Sequence, residues 1–71
     1  MIELSGQIDD DVEGLCPVVR FELKEYTVRT TLTTTFSGGN CGHLREDRQV
    51  TVTGVLEATR SIRATRIEIK R

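Results

Sequence analysis

The chain is poor in the residues from which many binding sites are built. Of its 71 residues none is tryptophan, one is tyrosine, two are phenylalanine and one is histidine. Single-strand nucleic-acid sites stack bases on exposed aromatic rings, so three aromatics leave little material for such a platform. No apolar run approaches the roughly 18 residues of a membrane-spanning helix. The opening MIELSGQIDDD has neither the basic start nor the apolar stretch of a signal peptide. The expectation is a cytosolic chain, or a mature domain given a start methionine. No G-x-S-x-G, P-loop or dinucleotide fingerprint occurs. Cys41 and His43 could form a nucleophile pair, but nothing in the sequence supplies an orienting third group or an oxyanion hole. The chain is therefore expected not to be an enzyme, with no catalytic residue and no cofactor.

Metal ligands are scarce too. Cys41-x-His43 places two donors close together, whereas structural zinc typically wants four. Asp9, Asp10 and Asp11 are adjacent and lack the alternating spacing and glycine of a calcium loop. No metal is expected, and His43 reads as a surface or capping residue. The two cysteines, Cys16 and Cys41, leave three readings open: a disulfide, free buried thiols, or half of a metal site. A bridge between them would close a long loop and contribute about 3 kcal/mol. That matters in a chain short enough to bury only about 60% of its unfolded surface.

Charge is plentiful and uneven. The net charge is −1, but residues 1–25 carry seven acids and two bases, while residues 26–71 carry four acids and eight bases. Eight of the ten bases are arginine. Such a split reads either as an electrostatic footprint or, more simply, as strands whose arginines pair with the acidic first half.

Almost every periodic segment alternates with period two, the signature of half-buried strands. Ile2, Leu4 and Ile8 mark a first strand, with Gly6 inward at a bulge, bend or close approach. Asp9 to Gly14 reads as an acidic turn. Val19, Phe21 and Leu23 mark a second strand, followed by a tight turn near Lys24-Glu25-Tyr26. Thr27 to Phe36 reads as one third strand, with Val28, Thr30, Leu32, Thr34 and Phe36 inward. Its other row, from Thr27 through Arg29 to Thr35, faces solvent. That row is too small for an ice-binding lattice. Ser37 to Asn40 turns the chain, and His43 to Asp47 makes a helical turn with Leu44 inward. Val50 and Val52 mark a fourth strand that ends at Gly54. Ile62, Ala64, Ile67 and Ile69 mark a fifth, whose parity slips and so predicts a bulge or an inward Arg66. The pattern gives an all-β fold in a single domain over 1–71: a small five-stranded antiparallel OB-like barrel with a short helical turn between strands 3 and 4. An SH3-like barrel is the competitor. Closure would remove the sheet edges.

The run ELSGQI, then CPVVRFEL, TVRTTLTTTF, SGGNCGHL, QVTVTG and ATRIEI resembles, in that order, the bacterial domain catalogued as domain of unknown function 5666. The resemblance runs from Leu4 to Ile69. It implies a small OB-like barrel, often in exported proteins, with no established activity. It also implies paired cysteines at Cys16 and Cys41, which would form a disulfide in an oxidising compartment. The chain would then be exported or periplasmic, and otherwise cytoplasmic. Two turns depart from the pattern. Glu46-Asp47 and Glu25-Tyr26 stand where glycine is usual.

The functional expectation is a non-catalytic binding or structural module with a protein partner; its oligomeric state stays open. The alternative is an OB-type single-stranded nucleic-acid binder using an arginine-rich fifth strand. Its residues would be Arg29, Arg60, Arg63, Arg66 and Tyr26, with Lys70 and Arg71 continuing the stripe and Arg45 and Arg48 extending it. A net charge of −1 is not that of a basic nucleic-acid module.

Overall fold

Alternation builds the central hairpin. In β3 (Val18–Leu23), Val19, Phe21 and Leu23 are buried and the residues between them exposed. A two-residue turn leads into β4 (Tyr26–Arg29), pairing Leu23 with Tyr26 and Phe21 with Val28. Both turn residues, Lys24 (φ 49°) and Glu25 (φ 71°), have left-handed backbone. Two-residue hairpins favour that geometry because it matches the twist of the strands, and glycine or asparagine usually supplies it. Left-handed backbone costs other L-residues roughly 1 kcal/mol. Glu25→Gly is therefore expected to raise stability by about 1 kcal/mol, read as a higher thermal midpoint. An unchanged or lower midpoint contradicts the turn assignment.

The computed structural model describes residues 1–9 and 12–70; Asp10, Asp11 and Arg71 lie outside the described residues. The other strands are β1 (Ile2–Gln7), β2 (Glu13–Leu15), β5 (Thr35–Ser37), β6 (Gln49–Ala58) and β7 (Ser61–Ile69), with a 3-10 turn at Cys41–His43. All seven form one sheet in the order β1-β6-β7-β4-β3-β2, with β5 also on β7. The fold is all-β, but it differs from the expected five-stranded antiparallel barrel in count, direction and closure.

Each difference has a local cause. The expected third strand breaks in two because its threonines supply partners of their own. Thr31 N–H donates to Thr34 Oγ1 at 2.8 Å, and Thr34 N–H donates to Thr31 O at 3.1 Å. Such local bonds compete with a sheet ladder. The turn throws Leu32 outward, leaving it 78% exposed where an inward side chain is expected. β4 and β5 both pair with β7 in parallel. The chain travels through the 3-10 turn and β6 before β7, and a crossover of that kind is what parallel pairing requires. The end of the expected acidic turn, Glu13 and Gly14, belongs to β2, which occupies the outer edge of β3 from Val18 to Arg20. Only the far end of β3 is left for β1, at a single bridge between Ile8 and Leu23. The sheet is therefore not closed into a barrel.

β6 does not end at Gly54. A Cβ there would lie 2.5 Å from Arg63 O and 3.1 Å from Ala64 Cα, so the missing side chain lets β6 and β7 press together. The register shifts at that point. The shift leaves Thr65 between the partners of Gly54 and Thr53, so Ala64 and Ile67 are both buried while Arg66 stays exposed. This is the expected bulge, with Arg66 outward. Gly6 gives room to the Lys24 stem, whose Cε lies 2.9 Å from where a Cβ would stand. The helical turn forms two residues earlier than expected, at Cys41–His43, and Leu44 is buried.

Candidate binding face

The ends of the chain's one cross-link come from a strand edge and a loop. Cys16 follows β2 and is exposed; Cys41 opens the 3-10 turn and is buried. Their sulfurs are 2.14 Å apart and their Cα atoms 5.7 Å apart, within the usual span of a disulfide. His43 serves the same turn as a cap: Asn40 N–H donates to His43 Nδ1 at 3.0 Å, and Gly42 N–H donates to Asn40 Oδ1 at 2.9 Å. Among the described residues, no three His, Cys, Asp or Glu side chains gather as a metal set.

The outer face of the sheet carries the charge. Arg20 of β3 lies directly opposite Arg29 of β4, which lies opposite Arg63 of β7. Neighbouring strands are about 4.8 Å apart, and like charges so placed repel. Two carboxylates offset them. Glu13, opposite Arg20 on β2, accepts from Arg20 Nη2 at 2.8 Å. Glu57 accepts from Arg29 Nη2 at 2.5 Å and lies 3.9 Å from Arg63 Nε. Glu57 sits at a second register shift of β6, between Leu56 and Ala58; such irregularities re-aim side chains. Three cations thus face two anions. These pairs do not join the acidic and basic halves of the chain: Arg20 and Glu13 lie in the first half, and Arg29, Arg63 and Glu57 in the second.

Of the five residues expected to act together, Arg29 and Arg63 stand directly opposite each other on the outer face. Arg60 occupies the β6–β7 turn with φ 62°, and its carbonyl accepts from Thr27 N–H. Tyr26, half-buried at the β3–β4 turn at the same end of the sheet, packs against the core. Arg66 lies past the bulge, opposite Thr53 and Thr35. It lines a separate polar groove of about 340 Å³ with Ser5, Thr51 and Glu68. There, a hydrogen bond and charge from Lys70 hold the Glu68 carboxyl below its ordinary range. Sequence reasoning missed Arg20, Glu13 and Glu57. Arg20 was within reach, because fixing the turn at Lys24-Glu25 and stepping back three residues on each strand places Arg20 opposite Arg29.

Beside the arginines the face turns apolar. Val18 is 45% exposed and pairs with Leu15, which is 86% exposed. A shallow groove of about 200 Å³ runs over Gly14, Val18 and Val19 between Glu13, Arg20 and Arg29. At Gly14 φ is +102° and a Cβ would lie 2.7 Å from Val18 O, so the missing side chain lets β2 lie close against β3.

Residues 5–68, which contain both cysteines and all three arginines of the row, match the family model described as Domain of unknown function (DUF5666). The chain belongs to this family. No curated protein and no solved structure matches it. Both turns where the DUF5666 resemblance leads one to expect glycine need left-handed backbone here. Lys24 and Glu25 adopt it in one, and Asp47 (φ 68°) in the other.

Proposed function

We propose that this DUF5666 domain is a non-catalytic module that binds a protein partner through the outward face of β2, β3, β4 and β7. The observation that carries this reading is the Arg20–Arg29–Arg63 row beside exposed Leu15 and Val18. Arginine next to exposed apolar surface is the composition of an interaction patch, and arginine is enriched at interfaces. Exposed ion pairs contribute only about 0–1 kcal/mol, so Glu13 and Glu57 can yield the row to a partner. The pairing order β1-β6-β7-β4-β3 supports an OB-like architecture, partly open, to which β2 and β5 are short additions. In OB folds the second and third strands form the ligand face. Their counterparts, β3 and β4, carry Arg20 and Arg29. The cysteine pair supports an oxidising compartment, hence an exported or periplasmic protein.

Partner capture tests this. The wild-type chain is expected to retain a protein partner, and Arg29→Glu combined with Arg63→Glu is expected to lose it. Recovery of the free chain alone, or of the same partner after charge reversal, contradicts the reading. Single-stranded nucleic acid is the second reading, favoured by the same arginines. It is opposed by the absence of an exposed aromatic: Phe21 is buried, and Tyr26 and Phe36 pack against the core.

A further inference from the structure

Resting on that protein-binding reading, we infer that the groove over Gly14 takes an extended acidic-aliphatic peptide segment of the partner. One of its carboxylates sits on Arg29, and an aliphatic side chain lies over Val18 and Leu15.

Charge places the carboxylate. Arg29 is the middle member of the row, with Arg20 directly opposite on one side and Arg63 on the other. Glu13 pairs with Arg20 from the β2 edge, and Glu57 reaches in from β6 past Arg63 to pair with Arg29. Three guanidinium groups share two carboxylates, so the row keeps a net positive charge, and Arg29 is its middle member and also lines the groove. Each guanidinium has about five N–H donors in a fork that fits a carboxylate. Arg20 and Arg29 each spend one donor on a glutamate. Both side chains are more than half exposed.

Shape places the peptide. The floor of the groove is Gly14 with Val18 and Val19, and it ends at Arg20 and Arg29. A ligand lying in it meets apolar surface and guanidinium within one short span. In an extended segment the side chains of residues i and i+2 reach the same face, so an acid and an aliphatic residue two positions apart meet the guanidinium and the apolar floor together. A nucleic acid strand would find the cations but no ring to stack on.

The probe is a blocked peptide with glutamate and valine two positions apart on a serine background, titrated into the full chain at low salt and followed by backbone amide shifts. Controls are the same peptide with lysine in place of glutamate, and an oligo-thymidine strand. The expected result is binding by the acidic peptide alone, with shifts centred on Gly14, Val18, Arg20 and Arg29. Arg29→Ala is expected to weaken it about tenfold, the loss of one charge-assisted bond. Glu57→Gln removes the carboxylate competing for Arg29 and is expected to tighten it, which a merely structural role would not do. Val18→Asp, on the exposed face, is expected to weaken binding and serves where Arg29→Ala does not fold. Shifts centred on Thr51 and Arg66, or affinity unmoved by Arg29→Ala and Val18→Asp, overturn this site and leave the module reading standing. Equal binding of the lysine peptide, or tighter binding of oligo-thymidine, overturns the ligand class. No binding of the acidic peptide overturns the inference, while partner capture decides the module reading separately.

Discussion

Replacing Cys41 with serine is expected to lower the unfolding free energy by about 3 kcal/mol, the entropy returned to the unfolded chain when a loop of this length opens. The cysteines are 25 positions apart, and a single core in a domain of this size rarely supplies more than roughly 3–5 kcal/mol. Losing the bond should bring the chain close to its unfolding midpoint at ordinary temperature. Cys16→Ser, or reduction of the wild type, should do the same. In native structure the bond ties the exposed end of β2 to the 3-10 turn, so both should lose amide protection before the β6–β7 pair does. Urea unfolding with and without reductant reads the effect. Coincident curves would mean that the bond does not form in solution, and would remove the argument for an oxidising compartment.

The second large effect is expected at Thr30. Its side chain is fully buried, and its hydroxyl donates to Pro17 O at 2.6 Å and accepts from Val19 N–H at 2.8 Å. Thr30 N–H also donates to Val19 O at 2.9 Å. One residue thereby carries the β3–β4 pairing past the last ladder position and holds the segment next to Cys16. Valine has nearly the same shape but no hydroxyl. Thr30→Val strands the buried Val19 N–H and takes the donor from the part-buried Pro17 carbonyl; a buried unsatisfied group costs about 1–3 kcal/mol, so a loss of about 2 kcal/mol is expected from equilibrium unfolding. Thr33→Val, on the exposed turn, is the control and should change stability by less than about 0.5 kcal/mol. Equal effects at the two positions would contradict the assignment.

Much of the fold was legible because alternation reports which side of a strand is wet. Phe21, Val28, Val52 and Ile67 are buried where period two puts them, and the parity slip between Ala64 and Ile67 is the bulge. What stayed hidden depends on non-local pairing or on side chains that act as backbone. Glu13 to Leu15 is exposed throughout and has no periodicity, so Glu13 and Gly14 read as part of a turn although β3 takes them as partners. Thr31 and Thr34 have high strand propensity, yet their hydroxyls close a turn in mid-strand. The parallel pairing of β4 with β7 brings Arg29 against Arg63 across a long chain separation that no local pattern records. Sequence places Arg60 and Arg66 with Arg63 along one strand, and parity leaves Tyr26 as the one aromatic off the core. The sheet sends Arg60, Arg66 and Tyr26 to other places.

The central claim is that the row of Arg20, Arg29 and Arg63, with Val18 beside it, is the surface that meets a partner. Site-specific photo-crosslinking tests it most directly, with benzoylphenylalanine placed at Val18 or at Thr51, in the polar groove that Arg66 lines. The account predicts a cross-linked protein from position 18 and none from position 51. A cross-link from position 51 alone, or from neither, would contradict it.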